Sequence, residues 1–326
     1  MKRMLQSLVV AWLLVVGSLA GAQGVPPAAD FARWPEVRSV VVSPSNTHAA
    51  MLVPVADGRV GLAVVDLTDL KQRKLLAAWG DVDVERVEWV NDKRLVFYVQ
   101  APWETMDYGK WGTFAIDVDG EGLRQIISHR SDSAAATGSG IRDRTLTRRW
   151  SWWGAVGDGS DDIYVLQWFD TLDLGYRPQV VARVDTNTLR VTPVSEGQPQ
   201  GADGWLFDGQ GKLRVVTATV KDRRQLWWLP PGATAWQKVD DQPLYEGAGV
   251  SPRALEADGT LIVSARHQRD TAALYTFDLA KGKLDPEPMV GVQGYDVYRL
   301  RYDGKRRIAV GAVVNAQTPT TVWFDE

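Results

Sequence analysis

Beyond its first 22 residues this chain reads almost entirely as short extended segments. From Arg38 onward apolar residues come in brief runs, among them Val40-Val41-Val42, Ala49 to Val55 and Gly61 to Asp66. Turn-forming groups such as Ser43-Pro44-Ser45-Asn46 and Asp57-Gly58 break the runs. Short apolar runs punctuated by Pro, Asn and Asp-Gly predict strands joined by tight turns. No segment there sustains a 3.6-residue apolar period, so few helices are expected.

The runs repeat. One unit is an apolar strand ending in Asp: Leu62 to Asp66, Thr113 to Asp117, Val180 to Asp185, Leu274 to Asp278 and Thr321 to Asp325. Gln225 to Leu229 is its counterpart in the middle of the chain, with Pro230 in place of the Asp. Counted from Asp66 through Asp117, Asp185, Pro230 and Asp278 to Asp325, the steps are 51, 68, 45, 48 and 47 residues. A period of roughly 45 to 50 residues suits one four-stranded propeller blade. The longer step holds an insertion, placed at Ser131 to Arg149, which reads as a surface loop or crossing linker. A second unit, a turn between two strands, recurs at Ser43-Pro44-Ser45-Asn46, Asn91-Asp92-Lys93-Arg94, Asp208-Gly209-Gln210-Gly211, Asp258-Gly259 and Asp303-Gly304-Lys305. Such turns supply the positive φ of a tight hairpin. A lone blade cannot bury both faces, and stacking blades around an axis does so. The expected fold is therefore an all-β propeller of about six four-stranded blades, or an incomplete form of a seven-bladed parent. The sixth unit stops inside a blade, at Phe324-Asp325-Glu326. It would close into a ring only if Arg38 to Val42 paired with Val322 to Phe324.

Composition narrows the function. The chain has 326 residues, 45% hydrophobic and 24% charged, and a net charge of −3. No excess of Lys and Arg points to nucleic acid as a partner. Cysteine is absent, which removes disulfides, thiolate catalysis and Cys-ligated metals, and there are only three histidines. No cofactor or metal is indicated. Lys2-Arg3, the apolar run Leu8 to Val16 and Ala20-Gly21-Ala22 have the order of a secretory signal peptide cleaved before Gln23. The run is shorter than the ~20 residues of a membrane span. The expected division is a signal peptide at 1–22, an extension at 23–37 and a propeller at 38–326. The mature protein would be periplasmic or secreted, with no membrane association.

Phe31-Ala32-Arg33-Trp34-Pro35, followed by Val37 to Pro44 and Ala49 to Pro54, resembles the opening of secreted bacterial members of the prolyl oligopeptidase family. Val87-Glu88-Trp89-Val90-Asn91-Asp92-Lys93-Arg94-Leu95-Val96 is similar to the second blade of those proteins, and Gly112 to Arg124 to its closing hairpin. Asp161 to Leu166 with Tyr176 to Val191 resembles the third. The first turn departs from the family's Ser-Pro-Asp-Gly. The likeness covers Phe31 to Glu326 as blade pattern rather than as an invariant signature, and Tol-system periplasmic propellers share repeats of this kind. The resemblance implies a propeller whose channel filters peptides for a hydrolase domain bearing a Ser-Asp-His triad. That chemistry needs Gly-x-Ser-x-Gly on a strand-to-helix corner. No such pattern occurs; Gly138-Ser139-Gly140 and Gly159-Ser160 come nearest. No catalytic residue is assigned, and His48, His129 and His267 read as exposed loop or strand-end residues.

Two explanations follow: part of a longer or split peptidase, which the break inside a blade favours, or a free-standing propeller that binds a protein or peptide without catalysis. The partner is accordingly a peptide substrate or a hydrolase domain encoded elsewhere. Among the 15 tryptophans, Trp150, Trp152 and Trp153, flanked by Arg148 and Arg149, form the candidate ligand platform, because aromatic rings at a propeller mouth stack on ligands. Trp227 and Trp228 occupy adjacent strand positions, so one of them is expected in the core. Asp158, Asp161 and Asp162 read as solvated loop acids, and the Asp ending each blade strand as a hairpin residue.

Overall fold

The computed structural model describes residues 27, 35–101, 111–129, 144–171, 175–245 and 249–324. The expected signal peptide, most of the 23–37 extension and residues 131–143 of the insertion lie outside them. Within residues 39–326 there are six antiparallel sheets, each with its strands in chain order. Blade 1 is β1 (Ser39–Val42), β2 (His48–Pro54), β3 (Val60–Asp66) and β4 (Arg73–Ala77). Blade 2 is β5 (Asp83–Trp89), β6 (Arg94–Gln100), β7 (Gly112–Asp117) and β8 (Arg124–Ser128). Blade 3 is β9 (Trp150–Ala155), β10 (Asp162–Thr171), β11 (Gly175–Asp185) and β12 (Val191–Pro193). Blade 4 is β13 (Ala202–Phe207), β14 (Leu213–Val220), β15 (Arg223–Trp228) and β16 (Gln237–Pro243). Blade 5 is β17 (Ser251–Leu255), β18 (Leu261–Ala265), β19 (Ala273–Asp278) and β20 (Lys283–Leu284). Blade 6 has three strands among the described residues, β21 (Val297–Asp303), β22 (Ile308–Asn315) and β23 (Pro319–Trp323). The repeating strand that ends in Asp is the third strand of a blade in every case. A single 3-10 turn, Ala56–Gly58, is the one helical element described.

Alternation within each central strand drives the stacking. Leu95, Phe97 and Val99 of β6 enter the core between blades 1 and 2, while Val96 enters the core between blades 2 and 3. Ile163 and Val165 of β10 point back toward blade 2, and Tyr164 points forward to blade 4. Val216 and Val215 of β14 divide between the blade 3–4 and blade 4–5 cores. Leu261 and Val263 of β18 face blade 4, and Ile262 faces blade 6. Period-2 side chains that are apolar on both faces leave no solvated side. Each side chain so buried contributes about 2 kcal/mol.

The ladder that ring closure would need is not formed among the described residues. Ser39–Val42 pairs with β2, β23 pairs with β22, and no ladder joins them among the described residues. Trp323 on the outer strand of blade 6 is 63% exposed. The insertion is also more than a surface loop. Leu146, near its end, is buried and bridges Ile127 in parallel, receiving the Ser128 amide and donating to Ile126. It thereby covers part of the β8 edge.

Both recurring turns lie at the same end of each blade, and their acids cap backbone amides. Asp66 receives the Thr68 hydroxyl and amide, which hold its carboxyl below the usual range. Asp258 is held down in the same way by Thr260. At Asp185 partial burial pushes the other way and is outweighed by the amides of Thr188 and Asn187. Asn46, which stands where the Asp-Gly of other blades would be, takes φ 61° and completes the first turn.

Polar staples fasten neighbouring blades. Trp89 Nε1 donates to Val41 O at 2.9 Å, joining blade 2 to blade 1. Arg94, 2% exposed, donates from Nε to Thr186 Oγ1 (2.6 Å), from Nη1 to Asp117 (2.7 Å) and from Nη2 to the carbonyls of Thr186 and Gly122. The three acids read as solvated are paired as well, Asp161 across the junction of blades 2 and 3 and Asp158 and Asp162 within blade 3. Asp158 and Asp162 both bind Arg183 at 2.8 Å, and Asp161 receives Asn91 and Asn187. They look like loop acids in the sequence because the partners lie up to 70 residues away. Arg94→Leu should lower stability by about 3 kcal/mol, because Thr186 keeps a buried carbonyl without its donor. Asp117→Asn, at a partly exposed site, should cost less than about 1 kcal/mol. Urea midpoints check this, and an unchanged midpoint for Arg94→Leu would contradict the staple.

Candidate binding site on the inner strands

The first strand of each blade has one edge paired to the second strand and the other unpaired. In five of the six blades its register skips one residue: Glu85 in β5, Trp153 in β9, Asp203 in β13, Arg253 in β17 and Tyr298 in β21. Only β1 runs unbroken. A bulge places two residues opposite one and re-aims a side chain. Asp203 shows one use of it: the carboxylate collects Thr217 Oγ1 (2.8 Å), Thr219 Oγ1 (2.6 Å) and Arg224 Nη1 (3.2 Å). Glycine follows at 204 because a Cβ there would strike the Thr217 hydroxyl.

Trp153 shows another use. Its ring meets Tyr164 at 5.8 Å, Phe207 at 6.1 Å and Trp205 at 6.2 Å, while Tyr164 and Phe207 stack at 4.5 Å. This aromatic group walls a cavity of ≈ 380 Å³ that reaches Arg253 and Leu255 of blade 5 and Leu300, Tyr302 and Arg307 of blade 6. Its polar framework is mostly self-satisfied. Arg307 Nη2 donates to Phe207 O at 2.6 Å and to Leu255 O at 3.1 Å, tying three blades together, although its buried Nε has no partner. Tyr302 donates to Leu255 O at 3.0 Å. Asp208 binds Arg214 at 2.7 Å and the amides of Gln210 and Lys212. Burial raises the Tyr302 phenol and pushes that of Tyr164 up to about 12, against the partial opposition of Arg183. A larger groove, ≈ 1180 Å³, opens between blades 4 and 5, but its acids Asp208, Glu256, Asp258, Asp278 and Asp285 are all taken up by nearby donors.

The proposed tryptophan platform is divided by the same alternation that builds the cores. Trp152 is 8% exposed, packs between blades 2 and 3, and carries the Arg86 guanidinium 3.7 Å above its ring. Trp150 packs on that core as well. Trp153 alone faces the cavity. Arg148 and Arg149 are exposed and precede the start of β9, whereas the cavity is lined by its end, Trp153 to Val156. The charge of Arg148 acts instead on His129. Trp227 and Trp228 both pack, on the blade 3–4 and blade 4–5 cores, where one was expected.

None of the histidines is a free loop residue. His129 is half-buried and stacks on Trp111 at 4.5 Å, and burial followed by Arg148 lowers its pKa. His48 Nδ1 is 2.9 Å from Thr47 Oγ1, and the His267 ring meets Tyr275 edge-on at 6.2 Å. Nearby, Ser43 Oγ is buried and accepts the amides of Thr47 and His48, which makes it a turn cap. Among the described residues no three His, Asp or Glu side chains converge to hold a metal ion. Among the cavity residues that the sequence did not single out are Trp205, Phe207, Tyr302, Arg307 and Arg253. A faint signal existed for two of them: Phe207 and Tyr302 stand immediately before the Asp of a repeating turn.

The buried phenol of Tyr164 carries a pH consequence. With the folded pKa above the unfolded one, its contribution is complete below pH ~10 and declines as pH rises toward about 12. Stability should therefore fall above pH ~10, and Tyr164→Phe should flatten that fall. Thermal midpoints between pH 8 and 11.5 check it; equal slopes for both proteins would refute the assignment.

No protein-family model matches the sequence, and no curated protein matches it. Solved structures do match. One from a study of two prolyl endopeptidases superposes with a TM-score of 0.53 at 14% identity, over 89% of this chain and 43% of that one. An acylaminoacyl peptidase in complex with Z-Gly-Gly-Phe-chloromethyl ketone gives 0.51 at 12%, over 90% and 44%. A puromycin hydrolase complexed with PGG gives 0.51 at 14%, over 89% and 45%. The chain thus spans a little under half the length of these enzymes. The neighbours are prolyl oligopeptidase and acylaminoacyl peptidase family members, and what this chain shares with them is the β-propeller fold.

Proposed function

We propose that this chain is the peptide-receiving propeller of a prolyl-oligopeptidase-like serine peptidase, exported from the cytoplasm, which gates and orients short peptides for a hydrolase domain encoded elsewhere. One observation carries the reading: the aromatic cavity on the inner strands, assembled from blades 3 to 6, beside an unpaired strand edge. Rings set on a rigid scaffold supply large contact area at low entropic cost, which suits side chains of varied peptides. The propeller fold shared with peptidases supports the assignment. The basic, apolar and small-residue order of the first 22 residues supports export.

Short apolar peptides titrated against tryptophan fluorescence should bind, and Phe207→Ala should weaken them by about tenfold, as loss of an aromatic anchor does. Circular dichroism confirms that the variant folds. Absence of any fluorescence change across a panel of peptides would refute the reading.

A further inference from the structure

Resting on the reading that the inner-strand cavity receives peptides, we infer that Arg253 makes it a site for a carboxylate held beside an apolar side chain. The shared chemistry is a carboxylate, supplied by a free peptide C-terminus or by an acidic side chain.

The bulge in β17 sets the arginine apart. Pro252 pairs with Val263 and Ala254 with Ile262, so Arg253 is the residue without a partner position. Ala254 and Leu255 after it are buried, yet Arg253 is exposed and lines the cavity. Hydrogen bonding sets it apart further. Asp208 is matched by Arg214 and two amides, and Arg307, whose buried Nε has no partner, is anchored through Nη2 to two carbonyls. The bulged Asp203 of the neighbouring blade is likewise matched, by Thr217, Thr219 and Arg224. Arg253 has no hydrogen bond or ion pair among the described residues. It is a positive charge lining an aromatic cavity of a protein whose net charge is −3, so it does not belong to a generally basic surface. A guanidinium presents a planar fork that matches a carboxylate bidentately. Beside low-polarity rings that attraction is stronger than in open water. Trp153 and Phe207 would then hold the apolar side chain next to the carboxylate.

The test uses three peptides: Ala-Ala-Phe as the free acid, the same peptide as its C-terminal amide, and Ala-Glu-Phe amide. Titrated against the intact chain, the free acid should bind about tenfold or more tightly than its amide. Arg253→Gln should erase the difference, Arg253→Lys should keep part of it, and added salt should shrink it. Tighter binding of the free acid places the carboxylate at the C-terminus, and tighter binding of only the Glu peptide places it on a side chain; either supports the inference. If acid and amides bind equally and Phe207→Ala still weakens all three, the inference about Arg253 is overturned while the peptide-receiving reading stands. If no peptide binds, both fall.

Discussion

The central strands of blades 2 to 5 are apolar on both faces, and that constraint governs everything else. A sheet built from such strands has no side it can present to water. β6, β10, β14 and β18 each send alternate residues into two different cores, one shared with the blade before and one with the blade after. The blade is therefore a slice of a continuous interior, and its stability is largely interfacial. Buried polar staples follow from the same arrangement. Once stacking has removed water from the turn-bearing end, the Arg94 guanidinium needs its four acceptors, and Thr186 needs Arg94.

The inner strands are where this regularity relaxes. Only one of their edges is paired, so an extra residue can be accommodated without breaking a second ladder. The bulge position becomes a variable slot on a repeated frame. It holds a ring at Trp153, a satisfied acid at Asp203 and an unmatched cation at Arg253.

What could be read in advance follows from what is local. The third strands ending in Asp, the Asp-Gly and Asn turns and the blade count were legible because hairpin chemistry depends on neighbours in sequence. The positive φ at Asn46 matches its expected part in the first turn. What escaped depends on register and on distant partners. Trp152 and Trp153 look like one cluster in the sequence, yet one residue along a strand reverses the face, and a bulge falls between them and their partners. Asp158, Asp161 and Asp162 look solvated until Arg183, Asn91 and Asn187 arrive from elsewhere. Blade 6 shows three strands among the described residues, and whether β1 and β23 pair was left open by the sequence.

Native-state hydrogen exchange tests the central claim most directly, since it reports which segments open alone. If stability resides in the shared cores, the amides of β6, β10, β14 and β18 should exchange at rates within about tenfold of one another, through one common opening. A single blade whose central strands exchange orders of magnitude faster than those of its neighbours would show that blades stand or fall separately, and would contradict the account.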